Sequence, residues 1–253
     1  MWQSGEANNE TIIFIHGVIG NHAAFKKEFQ ILSKSYRVIS FDLIGYGPGD
    51  VGRSIPIDLN SFVNQLNNIY DHFGIDSAHL CSLSYGSYIS NLYTSIYPEK
   101  VLSLCHVGGY YNNPSELRSV LRQLWEARND EYLTWAKRYS DSFNPIRNNA
   151  SFEFIKRGRN QCFDFASKLH PSVLIKSVDI QLNFDIKSII QNIKHPILWI
   201  MGEDDVLFKS PLYDLSFILP NVKFFEIEKA GHVAHKENPE KFMNLYLNFL
   251  REL

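Results

Sequence analysis

Four runs dominated by apolar residues, at Thr11–Ile15, 36–41, Ala78–Leu83 and Val101–Val107, constrain this chain most. Each reads as a strand buried on both faces, and only a parallel sheet covered by helices on each side gives strands two dry faces. The segments between them keep helical spacing. Leu59, Phe62, Val63, Leu66, Ile69 and Phe73 fall on one stripe, with Asp58 at the N-cap position and Gly74 just past the end. A second helix is predicted to follow Ser84 and to stop before Pro98.

After Gly109 the alternation ceases. Residues 110–193 read as helices without a strand: Leu117, Val120, Leu121, Leu124 and Trp125 share one stripe, and Tyr132, Trp135 and Tyr139 another. Alternation resumes with a strand at 196–201, a helix at 212–219 and a strand at 222–227. A helix at 239–253 follows, with Phe242, Leu245, Phe249 and Leu250 facing inward. The expected architecture is therefore α/β, a mostly parallel sheet flanked by helices. Residues 1–109 and 194–253 form the core, and residues 110–193 form a helical cap inserted before the last two strands. An insertion there sits above the crevice in which open α/β sheets bind ligands.

Composition narrows the function classes. In 253 residues, 45% are hydrophobic and 21% charged, as in ordinary folded proteins, and the net charge of −2 offers no broad attraction to nucleic acid or anionic lipid. No apolar stretch reaches the roughly 20 residues that cross a bilayer, and the polar start lacks a secretion-signal pattern. Cys81, Cys105 and Cys162 are odd in number without metal-ligand spacing, which fits reduced thiols in a cytoplasmic protein. The expected partner is a small molecule.

The chemistry concentrates at predicted strand ends. The strand at Ala78–Leu83 runs straight into Ser84-Tyr85-Gly86 and a helix, the context of a nucleophile elbow. Ser82 and Gly86, two positions either side of Ser84, are small enough for the turn's two arms to pass, although Ser82 stands where glycine is usual. A serine hydroxyl needs a base, and the base a third group to orient it. A carboxylate-rich turn, Gly202-Glu203-Asp204-Asp205, follows one later strand, and Ala230-Gly231-His232 follows the next. Parallel topology brings these ends to one edge, so Ser84, Asp205 and His232 can converge in the order serine, acid, histidine. The loop His16-Gly17-Val18-Ile19-Gly20 would lie beside the elbow. The backbone N–H groups of Val18 and Tyr85 are the candidate oxyanion donors.

With these strings, Asp42-Leu43-Ile44-Gly45-Tyr46-Gly47 and Glu237-Asn238-Pro239, the chain resembles the α/β-hydrolase superfamily, specifically its compact members with a helical cap. The motifs run in the family's order over nearly the whole chain. The resemblance implies a catalytic triad of Ser84, Asp205 and His232, an acyl-enzyme intermediate and no cofactor. It excludes relatives whose elbow carries aspartate or cysteine. Too few residues precede Thr11 for the family's usual first two strands, so residues 2–5 are expected to supply one remnant edge strand.

Alternatives stand beside this reading. Asp204 is the competing acid, although family spacing puts the acid three residues after Gly202. Otherwise it is a solvated carboxylate. His235 is the competing base, and otherwise a surface residue; a metal pair with His232 finds no ligand string in support. His16 and Asp42 read as loop braces. His22, His72, His79, His106, His170 and His195 are assigned to surface or packing. Of the insertion's aromatics (Tyr110, Tyr111, Trp125, Tyr132, Trp135, Phe143, Phe163 and Phe165), most are expected to pack its core and few to touch substrate. Lys156-Arg157-Gly158-Arg159 reads as a solvated helix face rather than an anion site. The segment 48–54 is long and borders the predicted entrance. The expected activity is hydrolysis of a small, partly apolar carboxylic ester or thioester, with an acyl-carrier partner in the thioester case. Carbon–carbon hydrolysis or elimination by the same triad, and a ligand receptor of this fold with little turnover, are the competing functions.

Overall fold

The computed structural model describes residues 1–7, 9–50, 54–55, 57–147, 149–184, 186–209, 212 and 215–253. Its strands are β1 (Trp2–Ser4), β2 (Thr11–Ile15), β3 (Arg37–Ser40), β4 (Ala78–Leu83), β5 (Val101–Val107), β6 (Ile197–Gly202) and β7 (Val222–Ile227). Its helices are α1 (Lys26–Leu32), α2 (Leu59–Phe73), α3 (Gly86–Ile96), α4 (Ser115–Glu126), α5 (Tyr132–Ser142), α6 (Phe152–Ala166), α7 (Pro171–Asn183), α8 (Lys187–Ile190), α9 (Leu215–Ile218), α10 (Ala234–Glu237) and α11 (Pro239–Arg251).

The seven strands form one sheet in the order β1-β3-β2-β4-β5-β6-β7. All pairs are parallel except β1 with β3, so the remnant edge strand expected at 2–5 is present and antiparallel. Alternate residues serve opposite faces. Ile13, Leu80, Leu104, Trp199 and Met201 join α2, α3 and the helices after β5 in one core, while Ile12, Phe14, Cys81, Cys105 and Leu198 meet α1 and α11 in the other.

Local chemistry fixes the helix ends. Asp58 accepts a hydrogen bond from the Ser61 amide at 2.8 Å, and Gly74 closes α2 in the left-handed conformation at φ 59°. Among the described residues, five helices, α4–α8, stand between β5 and β6, with α4 packed on α7 and α5 on α6. The strand expected at 36–41 is shorter, at Arg37–Ser40. Of the helix expected at 212–219, the described part is Leu215–Ile218, residues 213 and 214 lying outside the described residues. In α11, Leu245 is only half-buried, while Met243 and Tyr246 face inward with Phe242, Phe249 and Leu250. The segment 48–54 is described only at 48–50 and 54. No helix among the described residues is long and apolar enough to cross a membrane.

Candidate active site

Ser84 directly follows β4 at φ 52°, a left-handed conformation that non-glycine residues rarely adopt. Two backbone bonds hold it there: its N–H donates to Val107 O at 2.8 Å, and its carbonyl accepts from the Ser87 amide at 2.8 Å. Gly86 is required by space, because a Cβ there would lie 2.7 Å from Ile15 O and 2.9 Å from His16 O. Ser82 is more than small. Its hydroxyl lies 2.8 Å from His106 Nδ1 and accepts from Ser90 Oγ at 3.2 Å. His106 Nε2 meets Asn91 Oδ1 at 3.3 Å, and the Asn91 amide donates to Ser87 O. Nε2 therefore carries the proton, and Ser82 donates to Nδ1. Full burial keeps His106 neutral, its pKa pulled down to about 3.

The candidate acid and base lie past the ends of β6 and β7. Asp205 Oδ2 lies 2.7 Å from His232 Nδ1, with the carboxylate 3% and the imidazole 25% exposed. The turns that carry them interlock. Asp204 N donates to Ala230 O at 2.8 Å and Glu203 N to Ile227 O at 2.9 Å. A Cβ on Gly202 would sit 2.2 Å from Gly231 O, and one on Gly108 2.5 Å from His232 O. Phe208 stacks on the His232 ring at 4.1 Å between centroids, a contact without a sequence signal.

The loop after β2 touches the elbow, since a Cβ on Gly17 would come within 3.3 Å of Ser84 Cβ. His16 braces this loop as expected. Its Nδ1–H donates to Gly17 O at 2.7 Å, and its Nε2 accepts from the Leu43 amide at 3.0 Å. Burial lowers its pKa to about 4 and keeps it neutral. Asp42 accepts from the backbone N–H of His22 and meets its ring Nδ1, both at 2.7 Å, so His22 belongs to a brace rather than to plain packing. The N–H groups of Val18 and Tyr85 have no acceptor among the described residues.

Ser84, Asp205, His232 and Val18 line one cavity of about 790 Å³, which Tyr139, Phe143 and Phe154 of the helical insertion also border. Three expectations need correction. His235 is not on the surface: it is fully buried, its ring 4.7 Å from that of Phe25 and its Nε2 3.3 Å from Ala24 O, away from the cavity. Asp204 is not freely solvated, since its Oδ1 accepts from Asn149 Nδ2 at 2.9 Å. The basic string is not a purely solvated face, because Arg157 and Gly158 border the cavity and Arg159 donates to Asn144 O at 2.9 Å. Of the eight aromatics singled out in the insertion, Phe143 alone reaches the cavity and the others pack the core. Sequence reasoning missed Phe154, in the first turn of α6, and Arg147, in the α5–α6 connection, where no periodicity or motif marks it.

The family model described as alpha/beta hydrolase fold matches residues 10–173. A 2-hydroxy-6-oxononadienedioate/2-hydroxy-6-oxononatrienedioate hydrolase from Paraburkholderia phymatum is 28% identical, over 96% of this chain and 88% of that protein. The 3-oxoadipate enol-lactonase 1 of Acinetobacter baylyi is 22% identical over 99% and 92%. Among solved structures, a thermophilic esterase from Thermogutta terrifontis superposes with a TM-score of 0.82 at 18% identity, covering 99% of this chain and 92% of that one.

Proposed function

Since the chain belongs to the alpha/beta hydrolase fold family, whose matched relatives are hydrolases, we propose that it is a serine hydrolase of small carboxylic esters or thioesters. The observation that carries this reading is the 2.7 Å Asp205–His232 hydrogen bond in the cavity that Ser84 enters from a strained turn. Asp205 holds the imidazole as the Nδ1–H tautomer and leaves the Nε2 lone pair free to accept a proton. His232 takes the hydroxyl proton as Ser84 Oγ bonds to the carbonyl carbon, and the carbonyl electron pair moves onto oxygen. The N–H groups of Val18 and Tyr85 bind that oxyanion; each such donor contributes about 3–4 kcal/mol in hydrolases of this kind. When the tetrahedral intermediate collapses, His232 returns the proton to the departing alkoxide or thiolate. Water, deprotonated by the same imidazole, then releases the acid and restores Ser84.

No step requires a cofactor. The three cysteines are free and buried, in keeping with a reducing compartment such as the cytoplasm. Aromatic edges of the cavity suit a partly apolar acyl group. The test is covalent labelling with a fluorophosphonate, followed by mass-spectrometric mapping. Ser84 is expected to carry the label, and Ser84→Ala to lose both label and roughly five to six orders of magnitude in kcat while melting normally. An unlabelled Ser84 in folded protein overturns the reading and favours a ligand receptor. Similarity to the Paraburkholderia phymatum hydrolase supports a second reading, carbon–carbon hydrolysis by the same triad. Turnover across a panel of nitrophenyl esters and acyl-coenzyme A thioesters favours the first; labelling without such turnover favours the second.

A further inference from the structure

Arg147 and Glu237 form an ion pair at 2.6 Å inside the cavity wall, with side chains only 9% and 12% exposed. The Glu237 oxygen that accepts from Arg147 Nη2 also accepts from the Gly231 amide at 3.1 Å, one residue before His232. The guanidinium lies so close over Gly231 that a Cβ there would come within 2.0 Å of Nη1. Two residues along the same α5–α6 connection, Asn149 donates to Asp204, the neighbour of Asp205. One loop of the insertion thus fastens the turn that carries the acid and the turn that carries the base.

We propose that Arg147 is a positioning residue for His232: it neutralises Glu237, the clamp of the His232 turn, and so sets the imidazole's protonation as well as its place. This rests on the triad reading. Without Arg147, the Glu237 carboxylate, bonded to the amide one residue before His232, is left uncompensated and favours the imidazole's charged form. Without Glu237, the guanidinium is unpaired and favours the neutral form. The other titratable or charged groups around the cavity are Asp204 and Asp205 after β6, Lys229 before His232, Lys236 on α10, Arg157 and Cys162 on α6, and Tyr139 on α5. His235 is buried behind. None of these is altered by the substitutions below.

The experiment is the pH dependence of kcat/KM on the ester turned over best, with fluorophosphonate labelling of Ser84 and a melting curve for every variant. Arg147→Met is expected to move the acidic limb up by ~0.5–1 pH unit, and Glu237→Gln to move it down by a similar amount. The double variant is expected to bring the limb back to the wild-type position, and Arg147→Lys to leave it nearly in place. Opposite shifts that cancel cannot come from a purely structural role, which lowers kcat without moving the limb. If one single variant does not fold, the direction of shift in the other decides. Unmoved limbs, or two shifts of the same sign, in proteins whose Ser84 still labels overturn the proposal and leave the hydrolase reading intact. Loss of labelling in the wild type overturns the hydrolase reading instead.

Discussion

Glycines and one serine carry the site's geometry at the scale of single residues. Gly108 sits at φ 57° and its missing Cβ leaves room for the His232 carbonyl at 2.5 Å, whereas Gly74 sits at φ 59° with nothing within 4 Å of a Cβ. The pair separates backbone strain from collision. Gly74→Ala should cost about 1 kcal/mol of stability, the left-handed penalty alone, with activity unchanged. Gly108→Ala meets the same strain plus a backbone atom, and should cost about 2 kcal/mol or more while lowering kcat, because His232 must move. Urea melts and steady-state rates on the two variants check this; equal stability losses would contradict it. The placement of Ser84, Asp205 and His232 past strand ends was legible because each sits in a short motif. Arg147 was not, since its partner is 90 residues away and nothing in its neighbours marks it.

Helices and strands were legible where period and caps agree. Residues Leu59–Phe73, Ala78–Leu83, Val101–Val107 and Val222–Ile227 form the elements expected of them, to the residue. Helix α1 went unread, since Lys26–Leu32 is seven residues long with few apolar positions. It carries Glu28, buried to 2% exposure beneath the segment that bears Lys236, with its pKa raised to about 6 mainly by desolvation. A carboxyl whose folded pKa exceeds its unfolded value of 4.5 favours folding below that value and loses this contribution as pH rises through about 6. Glu28→Gln should therefore stabilise the protein by about 2 kcal/mol at pH 8, with the gain fading near pH 4.5. Denaturant unfolding at the two pH values tests it; an equal effect at both would exclude titration of Glu28 as the cause.

Among the described residues, three buried histidines have a pKa far below the ordinary value, His16 at about 4 and His106 and His235 at about 3, each lowered first of all by burial, which also lowers that of buried His79. The unfolded chain binds protons at these sites from about pH 6.5 downward while the folded chain does not. The stability they allow is thus complete above pH 6.5 and lost as pH falls towards 4. Three such groups give a slope of about 4 kcal/mol per pH unit in the middle of that window. Acid unfolding near pH 5, watched by circular dichroism, is expected to shift to lower pH in His106→Asn, whose amide does not titrate; an unshifted midpoint would contradict this. By itself, the sequence determined the mostly parallel sheet, the helices between β5 and β6 and the three strand ends that precede Ser84, Asp205 and His232, because periodicity and turn chemistry are local and leave a local trace. The tertiary structure alone decided that His235 turns inward, that Asp204 is held by Asn149, and that Arg147 pairs with the Glu237 that holds the Gly231 amide. Those contacts join residues that chain distance keeps apart, and their energies depend on burial, which only the packed molecule defines.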